Sequence, residues 1–304
     1  MNTEKLFAFG LRAVLWPCPR GVCLRIARRL YNFDHPAVRG FETTVLYLKY
    51  LRFKLNTKDA IGWMVFYSGS YEPKTNAAIR AACRPGDVVI DAGANNGTET
   101  LLTALLVGTQ GRVYAFEPVP HVLRQLTENV QLNKLGNVVS LEGIALGTED
   151  GEISFHLMPY SAPNQGMSSQ FAFSASRETI RVRQRTLDGW AADRRLDRLD
   201  FLKMDIQGGE LGLLEGGRAT IARHLPVIFA EAEAGEQEQA GRSLAAFWRH
   251  LVDAGYDVWS YGHRRHSPRP FRAPEDLKEG NWIAMPQKKR GLLAPIRAQL
   301  GLAE

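Results

Sequence analysis

From Pro85 and Gly86 onward, short apolar runs alternate with stretches of helical periodicity, and this alternation constrains the fold more than any other feature. The runs are DVVID (87–91), RVYAFE (112–117), VVSLE (138–142), LDFLKMD (199–205), PVIFAE (226–231), YDVWS (256–260) and NWIAMP (281–286). Helical segments separate the first five: TETLLTALL, PHVLRQLTENVQLN, the TLDGWAADRR region and GELGLLEGG. Near-continuous apolar strands joined by crossover helices predict an α/β fold with a seven-stranded, mostly parallel sheet buried on both faces. At 304 residues and 45% hydrophobic, the chain is long enough for that core, with an appendage to spare.

The appendage is expected at the N terminus. FAFGLRAVLW, GVCLRIARRLYNF and VRGFETTVLYLKYLRFK read as helices, GWMVFY (62–67) as a short strand, and a helix starts at Pro73, where proline suits the first turn. The expected division is an N-terminal helical extension over 1–60, the main domain over 61–290 and a C-terminal tail over 291–304. Two further strand-like runs, 152–157 and 179–186, flank a polar loop over 158–177, an insertion between the third and fourth core strands. A second surface loop, basic and proline-rich, follows Gly262.

The chemistry concentrates where strands end. In D-A-G-A-N-N-G (91–97), a buried strand ends at Asp91, turns through Gly93, Asn95 and Gly97, and enters a helix. The glycines permit close ligand approach, and the amides of the helix start face whatever sits above the strand. The spacing is neither the dinucleotide G-x-G-x-x-G nor the phosphate loop, since no G-K-[ST] follows. Glu117, at the end of the second run, stands where a ribose-binding fold needs an acid, about 20 residues past the glycine turn. Ala145, after the third run, offers a small apolar surface for an adenine ring. In F-L-K-M-D-I-Q-G-G-E (201–210), Lys203 and Asp205 interrupt an apolar strand, so they are mutually compensated, exposed at its C-terminal edge, or functional. Asp205 is the candidate catalytic carboxylate, touching the methyl acceptor or the cofactor's methionine part, with a salt-bridged structural carboxylate as the alternative; Glu231, ending the fifth run at the same edge, is either a second acid or a helix-adjacent surface residue.

These segments in order, D-A-G-A-N-N-G, Y-A-F-E-P, T-L-D, F-L-K-M-D-I-Q-G-G-E and P-V-I-F-A-E, together with F-Y-S-G-S-Y-E-P upstream, resemble the FkbM-type family of S-adenosylmethionine-dependent methyltransferases over roughly residues 62–286. The resemblance implies a class I methyltransferase (Rossmann-like) sheet with its last strand reversed, S-adenosyl-L-methionine as cofactor, and O-methylation of a hydroxyl on a sugar, glycan or small-molecule product. It assigns Asp91, Gly93, Ala94, Asn95 and Gly97 to the cofactor turn, Glu117 to the ribose and Glu72 to the cofactor's methionine end; Ser168 and Ser169 resemble a family serine pair that closes over cofactor or acceptor, with plain loop serines as the alternative. Where many members carry Glu in K-x-D-x-E-G, Gln207 stands here, so that position holds no acid.

Charge and cysteines bound the partners. Of the net charge of +6, five units come from residues 1–30, where Lys5, Arg12, Arg20, Arg25, Arg28 and Arg29 face Glu4 alone. A nucleic-acid methyltransferase needs a basic, aromatic-interleaved face across the strand ends, and the sequence offers none, so nucleic acid ranks below a small-molecule or glycan acceptor. A membrane-associated binding module, with residues 5–31 lying on an anionic bilayer, is the rival from another class. Cys18, Cys23 and Cys83, without C-x-x-C, suit a reducing compartment, and no metal cage is visible. The expected location is cytoplasmic, peripheral to the inner face of a membrane if residues 5–31 make that contact.

Overall fold

The computed structural model describes residues 8–13, 20–31, 40–157, 168–171, 178–261 and 270–301. Its centre is a seven-stranded sheet made of β3 (Val88–Ala92), β4 (Arg112–Phe116), β5 (Val139–Glu142), β9 (Phe201–Met204), β10 (Val227–Ala232), β11 (Tyr256–Ser260) and β12 (Gly280–Pro286). The order across the sheet is β11-β12-β10-β9-β3-β4-β5. Pairings from β10 through β5 are parallel, whereas β12 runs antiparallel between β10 and β11. All seven expected strands are present, the last one reversed.

The strand order switches sides at β3 and β9, which places the C-terminal ends of β3, β4, β9 and β10 along one edge. In open α/β sheets ligands bind at such an edge, outside the switch point. Helices cover both faces. Helices α4 (Thr98–Val107) and α5 (Pro120–Leu132) supply Leu101, Leu102 and Leu126 to one core, while α6 (Leu187–Arg194), α7 (Glu210–Gly216) and α10 (Leu244–Asp253) supply Trp190, Leu213 and Phe247 to the other. Between α6 and α10 in sequence lie two shorter helices, α8 (Arg218–His224) and α9 (Ala234–Gln239). A small sheet of β6 (Ala145–Leu146), β7 (Gly151–Leu157) and β8 (Glu178–Arg185) carries the insertion beside the binding edge.

The N-terminal region departs from expectation in two places. Residues 42–54, expected as helix, lie in a hairpin of β1 (Glu42–Tyr47) and β2 (Leu51–Asn56). Burial in β2 alternates with period two, Leu51, Phe53 and Leu55 pointing inward, and the turn is made by Leu48 and Lys49 at φ 51° and 79° without any glycine or asparagine to announce it. Conversely, residues 62–67, expected as strand, lie in helix α2 (Ala60–Ser68). Asp59 caps it by accepting from the Gly62 amide at 2.9 Å, and Ile61 through Ser68 are all buried, so no polar face exists to reveal a helical period.

Residues 8–13 and α1 (Arg20–Tyr31) are helical as expected. Helix α1 docks on α2: Cys23 and Ala27 are buried, and Trp63 Nε1 donates to the Ala27 carbonyl at 2.8 Å. These residues join the same apolar cluster as Leu101 and Phe229 of the central layers. Helix α3 (Pro73–Ala82) begins at the expected proline. At the other end, residues read as a tail form helix α11 (Arg290–Leu300), which buries Ile296. Among the described residues no helix is long and apolar enough to cross a membrane. The loop residues 158–167, 172–177 and 262–269, and residues 5–7 and 14–19 of the basic N-terminal segment, lie outside the described residues.

Candidate active site

The turn after β3 is shaped by one close approach. Gly93 has φ 79°, and a Cβ there would sit 1.8 Å from the carbonyl oxygen of Asp205, so backbone from the ends of β3 and β9 touches at the switch point. No other residue fits that position without moving one of the two strands. Asn95 follows at φ 49°, and Gly97, at φ 97°, opens α4.

Two residues beneath this turn hold it in place. Lys203, only 4% exposed, donates to the Gly93 carbonyl at 2.9 Å and lies 3.2 Å from Asp91 Oδ1 and 3.8 Å from Asp205 Oδ2. Asp91 Oδ2 accepts from Thr100 Oγ1 at 2.6 Å. Burial works against the lysine's charge, yet Asp91, Asp205 and Glu99 more than offset it and hold its pKa above the ordinary value. Compensation is therefore how the strand tolerates Lys203.

Above the turn lie two compartments. The first, about 700 Å³, has an apolar wall from Phe116, Val119, Val122, Ile144, Phe155 and Ile206, with Ala145 among them and Ser168 at its margin. Glu117 closes one side. Its Oε2 accepts from the Asn95 amide at 3.0 Å and its Oε1 from the Val119 amide at 2.9 Å. A carboxylate oxygen takes two donors, so each keeps a free lone pair. Burial outweighs those bonds and raises the Glu117 pKa to about 7.

The second compartment, about 750 Å³, is lined by Glu72, Glu99, Asp205, Glu231 and Glu236, with Tyr71, Ile61 and Lys203. Gly93, Asn95, Asp205 and Gln207 border both spaces. Gln207 Nε2 donates to Asp205 Oδ1 at 3.2 Å and to Glu231 Oε2 at 3.3 Å, tying the two acids together. The Asp205 charge, then burial, raises the Glu231 pKa to about 11. Burial lifts Glu236 to about 8 and Glu99 to about 7, and raises Glu72, to which Asp205 adds. Glu72 sits at φ 38° before α3, its Oε2 accepting from Thr75 Oγ1 at 2.7 Å.

The expected residues thus divide. Gly93, Asn95, Glu117, Ala145, Ser168 and Asp205 line the first space; Glu72, Asp205 and Glu231 line the second. Asp91, Ala94 and Gly97 lie behind the lining, Ala94 donating its amide to the Phe116 carbonyl at 2.9 Å. Ser169 is committed elsewhere: its hydroxyl donates to the Gln207 carbonyl at 2.9 Å and its backbone pairs with His156, pinning the insertion to the turn after β9. Sequence reasoning missed Glu99, Glu236 and Tyr71. Neither Glu99, flanked by Thr98 and Thr100 at the start of α4, nor Glu236, on α9, carried a local signal of a shared cavity. Among the described residues no group of three or more His, Cys, Asp or Glu side chains is arranged to hold a metal ion.

A parallel sheet in this order, one reversed strand, a glycine turn after its first strand and an acid after its second define a class I, Rossmann-like methyltransferase architecture. The sequence profile described as "Methyltransferase FkbM domain" matches residues 91–258, more than half of the chain. The chain belongs to that family of S-adenosylmethionine-dependent methyltransferases. Among curated relatives, it is 25% identical over 152 residues to the 2-O-methyltransferase NoeI of Sinorhizobium fredii, covering 46% of this chain and 61% of that protein. It is 29% identical over 130 residues to the hexuronic acid methyltransferase AglP of Haloferax volcanii, covering 43% and 49%. The chain thus spans less than two thirds of either relative. Among solved structures, methyltransferase FkbM from Methylobacillus flagellatus aligns with TM-score 0.44 and 15% identity over 75% of this chain and 55% of that one.

Proposed function

We propose that this protein transfers the methyl group of S-adenosylmethionine to a hydroxyl of a sugar, glycan or other small molecule. The observation that carries the reading is the position of Asp205 on the wall shared by an apolar and an acidic compartment. The relative named as a 2-O-methyltransferase and the one named as a hexuronic acid methyltransferase support a sugar-like acceptor.

The residues fit the cofactor. The apolar wall suits an adenine ring, the two free lone pairs of Glu117 suit the ribose hydroxyls, and Gly93, which borders both spaces, brings the turn's backbone to them without a side chain. When bound, S-adenosylmethionine supplies an electrophilic methyl group on a sulfonium. The protein's work is then to hold the acceptor oxygen in line and to exclude water. Asp205 Oδ2 takes the hydroxyl proton, while Gln207 Nε2 holds Oδ1 and so orients the carboxylate. Glu231, with its pKa near 11, stays protonated at neutral pH and anchors the acceptor by donating a hydrogen bond. Glu72 faces the methionine end.

Calorimetric titration with S-adenosylhomocysteine tests the cofactor half of this reading: micromolar binding, about −8 kcal/mol, is expected, and its loss in Glu117→Ala. For the chemical half, Asp205→Asn is expected to keep that binding while lowering transfer of a labelled methyl group to a sugar panel by about 10²–10⁴-fold. Unchanged turnover would remove Asp205 from the role of base.

A further inference from the structure

One carboxylate oxygen in the acidic compartment has no donor. Glu99, in the first turn of α4 and 6% exposed, lines that space. Its Oε2 accepts from Thr98 Oγ1 at 2.6 Å, whereas Oε1 is buried without a hydrogen-bond partner. The nearby cation does not serve it, because Lys203 Nζ is engaged by the Gly93 carbonyl at 2.9 Å and by Asp91 at 3.2 Å. A buried acceptor left unmade is costly, more so when charged. An acid in a helix's first turn does complement the helix dipole, but that role leaves Oε1 without a donor.

The missing partner is a donor carried by a ligand, and the surrounding chemistry says which kind. Glu72 and Asp205 border the same space, so a cationic donor is favoured over a neutral one and an anionic group is repelled. Gly93 and Asn95, which also border the apolar space that suits adenosine, line the same space as Glu99. We infer that Glu99 Oε1 is the counter-ion of the α-ammonium group of the cofactor's amino-acid moiety. This rests on the methyltransferase reading above, and it implies that the α-carboxylate points away from Glu99, toward the amides of the turn.

The test is calorimetric titration of the full chain with S-adenosylhomocysteine, with its deaminated analogue, and with 5′-methylthioadenosine, which lacks the amino-acid part. Removing one member of a buried charged pair weakens binding about 30-fold or more, so Glu99→Gln is expected to lose that much affinity for S-adenosylhomocysteine. Its affinity for the other two ligands is expected to stay at the wild-type value. Equal weakening of all three, or no weakening of any, overturns the assignment. If Glu99→Gln does not fold, the wild-type protein still decides: equal affinity for S-adenosylhomocysteine and its deaminated analogue overturns it, and a preference for the former supports it. Failure of the wild-type protein to bind any of the three removes the methyltransferase reading itself, and this inference with it.

Discussion

The two compartments meet at Gly93, Asn95, Asp205 and Gln207, yet they are built from opposite materials. The apolar one is walled mainly by residues at or after the ends of β4 and β5 and by Phe155 of the small sheet, with Glu117 its one acid besides the shared Asp205. The acidic one gathers five carboxylates from segments before α3, at the start of α4, and on and after β9 and β10. Such a space selects by hydrogen bonding and charge, whereas its neighbour selects by shape. Asp205 belongs to both, which is why a proton acceptor there suits a reaction joining two ligands.

Breaking the shared foundation is expected to have the largest effect. Lys203→Met leaves Asp91 and Asp205 without their cation, and stripping one partner from a buried pair costs about 3–5 kcal/mol. Urea unfolding would measure it, and a loss below 1 kcal/mol would mean that the two acids find other compensation. Gly93→Ala follows: the added Cβ collides with the Asp205 carbonyl at a φ of 79°, and overpacking with left-handed strain together cost about 2–4 kcal/mol. Binding in both compartments should suffer together, so an intact affinity for S-adenosylhomocysteine would contradict the shared-wall geometry.

A narrower change separates the two spaces. Glu117→Gln keeps the volume of the apolar compartment and replaces one acceptor oxygen by an amide, and a charged hydrogen bond lost costs about 1.5–3 kcal/mol. S-adenosylhomocysteine and 5′-methylthioadenosine should weaken equally; unequal loss would place Glu117 outside the ribose contact.

The pH dependence of stability probes the acids as a group. Burial raises Glu99, Glu117 and Glu210 to about 7 and Glu236 to about 8, against an unfolded value near 4.5. Between those limits the folded state binds more protons than the unfolded one, so stability falls as pH rises from about 5 to 8. Thermal melts across that window should show a drop of several degrees, shallower in Glu210→Gln; melting temperatures that climb instead would refute the protonated acids. The smallest effect is expected far from the site, where Lys54 and Glu128 pair at 2.8 Å in solvent, and Lys54→Met should change stability by less than about 1 kcal/mol.

Much of this was legible from residue order. The glycine turn, Glu117 and Asp205 stand at strand ends, and strands betray themselves by apolar runs. Glu99 and Glu236 were harder because nothing local says that a first-turn acid on α4 and an acid on α9 face one cavity. The hairpin was misread as helix for a related reason: its turn uses Leu48 and Lys49, residues with no turn preference, and its long-range tie, from the Leu48 amide to the Gly69 carbonyl at 2.8 Å, is invisible locally.

What the sequence by itself determined is the alternating α/β plan and the acids and glycines at strand ends, because hydrophobic periodicity and backbone freedom are local properties. Tertiary structure alone decided which acids share a space, that Lys203 is spent on Asp91 and Gly93, and that Ser169 braces a turn instead of lining a cavity. These depend on distances between segments remote in the chain, and burial changes the protonation and partners of a carboxyl group only once those segments have packed.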